Sequence, residues 1–177
     1  MKLSRVLCAA LFCMFFLVSF AQAETYIWSS AQVQFDIPEG WSQTLDGVPN
    51  ATEGDTLVVS SPGDHIAMVF FVIDADDVEK AILKVQKDLE ESLNDLEFSE
   101  DVSETEINGM PMVTLSGTAE KGKLEVSIDL VITPNAQVLT AVTIANPKEF
   151  KKWVNDLMKI VKSLQPYTEE EQEEEER

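Results

Sequence analysis

Residues 65–73, H-I-A-M-V-F-F-V-I, carry the strongest architectural signal in the sequence. They follow the turn residues Pro62, Gly63 and Asp64, and their β-branched and aromatic side chains favour a strand. Successive side chains of a strand point to opposite faces of the sheet. A strand with apolar side chains on both faces must therefore be covered by other elements on both faces. The stretch therefore predicts a sheet with one packed layer above it and another below.

Two amphipathic helices are predicted for these layers. Asp76 and Glu79 have the spacing of a capping box at the start of the first helix. Asn146 caps the second, with Pro147 at its first position and Glu149 at its third. The apolar stripe of the first helix contains Val78, Ile82, Val85, Leu89, Leu93 and Leu96. The stripe of the second contains Phe150, Trp153, Val154, Leu157, Ile160, Val161 and Leu164.

The other periodic segments are predicted strands joined by short turns. Apolar and polar side chains alternate over residues 33–37 and, most clearly, over residues 124–133. Asn108 and Gly109 predict a hairpin, because both tolerate positive φ. Further strands are predicted at 26–28, 56–61, 105–107, 112–120 and 137–145, and a loop at 42–55. The sequence thus predicts an α+β fold, an α/β/α sandwich whose mainly antiparallel sheet of about six or seven strands is flanked by helices on both faces.

Both ends of the chain are predicted to lie outside the folded domain. Lys2 and Arg5, the apolar run 6–20 and the small-residue site at 21–23 form the pattern of a cleaved signal peptide. That run is shorter than the ~20 residues that span a bilayer. We expect a periplasmic or secreted protein with no stable membrane insertion after cleavage. The predicted divisions are a signal peptide over 1–23, a single domain over 24–166 and a disordered, Glu-rich tail over 167–177.

Composition excludes several kinds of chemistry. Cys8 and Cys13 both lie in the predicted signal peptide, which leaves the mature chain without disulfides, thiolate catalysis or cysteine-ligated metals. The 32 acidic residues outnumber the 13 basic ones, and the formal net charge is −19. Such a surface repels nucleic acid, whose binding depends on Lys and Arg meeting phosphate. It favours basic partners or cations.

A search for reactive or ligating groups assigns no catalytic, cofactor-binding or metal-ligating residue. His65 lies beside Asp64, but no nucleophile with recognisable spacing accompanies this pair, so a turn or surface histidine is the favoured interpretation. Asp74, Asp76 and Asp77 are followed by residues that lack the ligands of an EF-hand loop, and helix capping explains this cluster better.

Most acidic residues occupy polar positions of the predicted strands and helices, which indicates solvent-exposed faces, and Asp129 is a partial exception. It lies between Ile128 and Leu130 on the most clearly alternating strand. A helix on the second face of the sheet would cover its side chain. Paired carboxylates would suggest a glycosidase, but their separation is set by the fold and not by the sequence.

Three motifs together resemble a known superfamily. A strand ends in Pro-x-Gly-Trp over residues 33–41, E-I-N-G-M-P (106–111) leads into a long hairpin, and the last helix begins near F-K-K-W and ends in V-K-S-L (161–164). Their order over about residues 25–165 resembles the PsbP-like superfamily, which includes PsbP, the bacterial periplasmic DcrB-like proteins and a nuclear transport factor that binds Ran. The resemblance implies the α/β/α sandwich and a binding or assembly protein rather than an enzyme. The metal-binding histidines of plant PsbP have no counterpart in a chain with one histidine.

These features predict a non-enzymatic periplasmic binding or assembly-factor protein that acts as a monomer through protein–protein contacts. The expected partner is an unknown envelope protein, with a basic surface favoured, and not a nucleic acid. One alternative is a carrier of a small apolar ligand or lipid, and another is an enzyme of unrecognised type. The carrier's pocket would lie between helix and sheet and be lined by Met68, Phe70, Phe71, Met110 and Met112. Ordinary core packing is the favoured interpretation of these five residues.

Overall fold

The computed structural model describes residues 23–44, 56–73 and 77–167. Several predicted features lie outside the described residues. They are the predicted signal peptide except for its last residue, most of the predicted loop 42–55, Asp74, Asp76 and the Glu-rich tail beyond Tyr167. The elements are, in chain order, β1 (Glu24–Trp28), β2 (Val33–Ile37), β3 (Ser42–Thr44), β4 (Thr56–Ser60), β5 (Ala67–Ile73), α1 (Val78–Ser92), β6 (Glu97–Phe98), β7 (Ser103–Ile107), β8 (Met110–Ala119), β9 (Leu124–Ile132), β10 (Val138–Ala145), α2 (Pro147–Ser163) and β11 (Gln165–Pro166).

The strands form two sheets. The large sheet has the order β3-β4-β5-β10-β9-β8-β6, with β7 also paired to β8, and the small sheet has the order β1-β2-β11. Every pairing between the described strands is antiparallel. The predictions of an α+β fold and of a mainly antiparallel arrangement are therefore confirmed.

The predicted number of strands is wrong. The described residues form eleven strands rather than about six or seven. Three of the additional strands, β3, β6 and β11, have only two or three residues, too few for an alternating pattern to show. Ser42–Thr44 lies within the predicted loop 42–55 but pairs with β4, and Gln165–Pro166, the predicted end of the last helix, pairs with β2.

Buried side chains of the large sheet belong to two hydrophobic clusters, and alternate residues of one strand belong to different clusters. On β9, Val131 is in the first cluster, whereas Ile128 and Leu130 are in the second. This follows from the period of two along a strand. The buried residues of α2 belong to the first cluster and those of α1, Ala81 and Val85, to the second.

Side-chain caps define where the helices begin. The cap of α1 is Asp77, whose Oδ1 accepts a hydrogen bond from Lys80 N at 2.8 Å, and not Asp76 as the spacing predicts. The prediction for α2 is confirmed, because Asn146 Oδ1 accepts from Glu149 N at 3.1 Å. No helix within 23–44, 56–73 and 77–167 is long and apolar enough to cross a bilayer.

Aromatic contacts attach the small sheet and the Pro-x-Gly-Trp turn to the rest of the domain. The rings of Phe35 on β2 and Phe70 on β5 stack with their centroids 4.8 Å apart. Trp41 meets Trp153 of α2 edge to face, with ring centroids 5.7 Å apart. Tyr167, which the predicted boundary assigns to the tail, is buried, and its N donates to Gln32 O at 2.9 Å. Tyr167 therefore packs with the domain rather than belonging to the predicted tail.

Candidate functional site

A cavity of about 520 Å³ lies between α2 and the face of the large sheet that carries the first cluster. Sites for small organic molecules commonly have volumes of roughly 300–1,000 Å³. The sheet contributes a mainly polar floor that contains Thr114, Ser116, Ser127, Asp129 and Thr143. The helix contributes a mainly apolar roof that contains Phe150, Val154, Leu157, Met158 and Val161.

The register of the sheet brings the polar floor together. Ser127 on β9 lies opposite Ser116 on β8 and opposite Thr143 on β10. Asp129, two residues further along β9, lies opposite Thr114 on β8. Residues two apart on one strand point to the same face, so these five side chains form one polar patch across three neighbouring strands.

Asp129 is the ionisable group of this floor. Thr114 Oγ1 donates a hydrogen bond to Asp129 Oδ1 at 2.7 Å. No other hydrogen bond or ion pair from the described residues reaches the carboxylate, so Oδ2 has no donor there. Burial raises the pKa of Asp129 above its ordinary value, although the Thr114 hydrogen bond acts in the opposite direction. The floor therefore presents a half-buried carboxyl group whose Oδ2 has no donor among the described residues.

Thr143 presents a second unsatisfied group. Its side chain is 1% exposed, and its Oγ1 has no hydrogen-bond partner among the described residues. A buried hydroxyl without a partner costs free energy, and such groups are rare in folded proteins. Because Thr143 lines the cavity, a water or a ligand molecule there can supply the missing partner.

The roof is held in place by a hydrogen bond at the carboxyl end of α2 and by the burial of its apolar side chains. Asn108, in the turn between β7 and β8, donates from Nδ2 to Leu164 O at 2.6 Å and thereby fixes the carboxyl end of the helix. Leu157 and Val161 are buried against the first cluster, whereas Met158 is 46% exposed. The arrangement gives an apolar cover over a polar floor.

The charged residues among those lining the cavity, apart from Asp129, are Glu106 of β7 and Lys162 of α2. Both are exposed, which places them where the cavity meets solvent. The entrance thus has one charge of each sign, and the net charge of the interior is that of Asp129.

The predicted pocket residues divide between the two faces of the sheet. Met68 and Met112 line the cavity. Phe70 stacks on Phe35, and Met110 is buried in the first cluster, so core packing is the correct interpretation of both. Phe71 packs with the second cluster, because it is one residue along β5 from Phe70 and points the other way.

The other residues considered from the sequence lie away from the cavity. His65 is exposed in the turn between β4 and β5, and Asp77 caps α1. Within the described part of the chain, no group of three or more His, Cys, Asp or Glu side chains is placed to hold a metal ion. Asp129, which the sequence singled out for its place on an alternating strand, is the exception, because it lines the cavity beneath α2.

Sequence reasoning missed the hydroxyl groups of the floor. Threonine and serine are ordinary residues of strands, so none of Thr114, Ser116, Ser127 and Thr143 is conspicuous alone. The available signal was that each occupies a polar position in a sheet predicted to be covered on both faces. Only the register shows that the interruptions coincide.

Comparisons with known proteins give a fold and not a family. No family model and no curated protein matches the chain. Cyanobacterial PsbP (CyanoP) from Synechocystis matches with a TM-score of 0.61 and 12% identity, over 85% of this chain and 96% of that one. A protein of unknown function, PA94 from Pseudomonas aeruginosa, matches with a TM-score of 0.49 and 14% identity, over 83% and 99% of the two chains. LpqN of Mycobacterium tuberculosis matches with a TM-score of 0.48 and 15% identity, over 82% and 86%. The superposition on CyanoP shows that the chain has the PsbP-like fold.

Proposed function

We propose that the protein is a non-enzymatic binding protein that holds a small ligand with an apolar body between α2 and the large sheet. The observation that supports this proposal is the floor of the cavity. There an unbonded carboxylate oxygen of Asp129 and an unpartnered hydroxyl of Thr143 lie under an apolar roof. Binding sites combine apolar walls with a few placed polar groups in this way.

We also propose the layered architecture of the domain and its export, as predicted from the sequence. The domain is an α/β/α sandwich, which is supported by the membership of α1 and α2 in different hydrophobic clusters. Residues 1–23 are a cleaved signal peptide, residues 24–166 with Tyr167 are the domain, and the remainder is an acidic tail. The protein is a monomer that acts in the periplasm or after secretion.

A neutral dye tests whether the cavity binds apolar molecules. We expect Nile red to bind saturably to one site per chain, with fluorescence as the readout. Val154→Phe adds atoms to the roof and should weaken binding about tenfold, equivalent to ~1.4 kcal/mol. Leu83→Phe makes the same kind of change at an exposed position of α1 and should leave binding unchanged. Binding that responds equally to both variants would place the dye elsewhere and remove the proposal.

The natural ligand is sought by mass spectrometry of the protein purified from its native compartment. A small molecule retained by the wild type and lost from Val154→Phe supports the proposal. Glu106 and Asp129 both line the cavity, so the same experiment also tests the enzyme alternative. A ligand that is released chemically changed would replace the binding role with a catalytic one.

A second candidate function, docking of an envelope protein with a basic surface, is favoured by the net charge of −19. Cross-linking in the native envelope fraction tests it, with the full chain and a chain ending at Thr168 as baits. One stoichiometric partner captured by both would indicate an adaptor that uses its folded domain. A partner captured only with the tail present would place docking on the glutamates. A bait that captures no stoichiometric partner would leave this candidate without support.

A further inference from the structure

We propose that the ligand of this cavity is an organic cation, with its ammonium group beside Asp129 and its apolar body under α2. The inference rests on the proposed function and specifies the chemistry of the ligand.

The charge of the floor is unbalanced. Thr114 occupies Oδ1 of Asp129, and neither a second donor nor a basic side chain of the described residues reaches Oδ2. Asp129 is half-buried, and a nearby positive charge stabilises the ionised form of a carboxyl group that is partly withdrawn from water. A ligand ammonium group supplies that charge and a donor to Oδ2.

Two hydroxyl groups near the carboxylate of Asp129 add further hydrogen-bond acceptors. Thr143, with its unpartnered Oγ1, is the diagonal neighbour of Asp129, at about 7–8 Å between the backbones. Ser127 lies opposite Thr143 on the same face. A primary ammonium group has three donors and no acceptor. One carboxylate oxygen and two hydroxyl oxygens therefore match its three N–H groups.

The charges of the protein favour a cation over an anion, both at long range and inside the cavity. The chain's negative charge raises the local concentration of cations. At the entrance, Glu106 and Lys162 carry opposite charges, so neither sign is excluded there. Asp129 alone then determines the sign that the interior accepts. The apolar roof requires that this cation also carry a hydrocarbon body.

A matched series of ligands tests the charge. Calorimetric titration of the full chain with n-octylammonium, n-octanol and n-octanoate keeps the hydrocarbon body and changes only the head group. We expect n-octylammonium to bind about tenfold or more tightly than n-octanol, since hydrogen bonds to charged groups are worth ~1.5–3 kcal/mol. The n-octanoate anion should bind most weakly.

Two variants test which residues cause the preference for n-octylammonium over n-octanol. Asp129→Asn keeps an acceptor for Thr114 and removes the charge, so it should abolish the advantage of n-octylammonium over n-octanol. Thr143→Val should reduce that advantage in part. Asp88→Asn, on the exposed side of α1, changes the net charge equally and should change no affinity.

Affinity for n-octylammonium should fall as the pH falls through the raised pKa of Asp129, because the protonated acid loses its charge. The alkylammonium group stays protonated across this range, as lysine does with its pKa of about 10.4. Glu106 and Lys162 are the other charged groups facing the cavity, so Glu106→Gln should retain the pH dependence and Asp129→Asn should lose it.

The outcomes separate this inference from the proposed function. If none of the three octyl probes binds and Nile red does not bind either, both fail. If n-octanol binds as tightly as n-octylammonium, the binding function stands and the cation is wrong. Tighter binding of n-octanoate would also overturn the inference, since it would mean that a protonated Asp129 donates to an anion.

Discussion

Two threonines on β10 bury hydroxyl groups that have no partner among the described residues, yet they face opposite sides of the sheet. Thr143 lines the cavity. Thr140, three residues earlier, lies opposite Leu130 on β9, a member of the second, apolar cluster, and opposite Phe71 on β5, which packs against that cluster. The hydroxyl of Thr143 therefore has a use in binding, whereas that of Thr140 brings only the cost of its desolvation.

Thr140→Val should stabilise the fold. The change keeps the shape of the side chain and replaces the unpartnered hydroxyl with a methyl group. We expect the free energy of unfolding to rise by about 1 kcal/mol, the lower end of the cost of an unsatisfied buried group. Urea denaturation measures this change. Binding of n-octylammonium serves as the control and should stay the same, since Thr140 is on the other face. A loss of stability would mean that the hydroxyl has a partner in solution.

Asp129 should make the fold less stable as the pH rises, whereas an acid in a salt bridge makes the fold more stable as the pH rises. Its pKa is raised by burial, so the folded state binds its proton more tightly than the unfolded state does. The contribution of Asp129 is fully present below the unfolded pKa of about 3.9 and is lost as the pH rises through the folded pKa.

Asp129→Asn should therefore be more stable than the wild type at pH 7, and the difference should shrink as the pH falls towards 4. Denaturant unfolding of both proteins across this range measures the effect. Asp36→Asn, at an exposed position of β2, controls for the loss of one negative charge. A constant difference across the pH range would contradict a raised pKa at Asp129.

At the scale of elements, the sequence predicts those segments whose pattern is long enough to repeat. The alternation over β9, the stripes of both helices and the Asn108 turn all led to the elements observed. The strands β3, β6 and β11 were missed, because they exist through pairing with a neighbour and not through a pattern of their own. The same limit applies to the site, where Asp129 is visible in the sequence but its hydroxyl neighbours depend on the register.

The turn at Asn108 also fixes α2 and can be tested by removing that link. Asn108 has a positive φ of 48°, which both Gly and Asp tolerate better than most residues, so these substitutions spare the turn. Asn108→Gly removes the donor to Leu164 O and should lower the free energy of unfolding by about 1 kcal/mol. Asn108→Asp places a carboxylate against carbonyl oxygens and should cost more. Chemical denaturation measures both, and equal stability of the three proteins would show that water replaces the link.

The close approach of β6 to β8 requires a glycine. A Cβ on Gly117 would lie 2.7 Å from Glu97 O, closer than such atoms approach in proteins. Gly117→Ala should therefore displace β6 and cost about 1–3 kcal/mol, as overpacking does elsewhere. Thr118→Ala, the next residue of β8, adds no atoms and should change the unfolding free energy much less. Thermal unfolding compares the two, and a neutral Gly117→Ala would contradict the contact.

At the scale of the whole molecule, one sheet holds both hydrophobic clusters together. The strands β5, β8, β9 and β10 each contribute alternate residues to the first and the second cluster. A displaced strand therefore loosens both clusters at once, and the described domain should unfold in a single cooperative transition. This coupling also helps a cavity with a polar floor to persist, since the opposite face of the same strands carries the second hydrophobic cluster.

Charge acts on the molecule as a whole. With a net charge of −19, the folded chain repels itself more strongly than the expanded chain does, and salt screens this repulsion over a distance of about 10 Å at 0.1 M. We expect the melting temperature to rise as sodium chloride is added. A chain ending at Thr168 loses seven glutamates and one arginine but keeps the buried Tyr167, so its melting temperature should be higher at low salt and should respond less to salt. Calorimetry at matched ionic strengths measures both slopes. Parallel slopes would show that the tail lies too far from the domain for its charge to act on stability, and the repulsion would then arise within the domain itself.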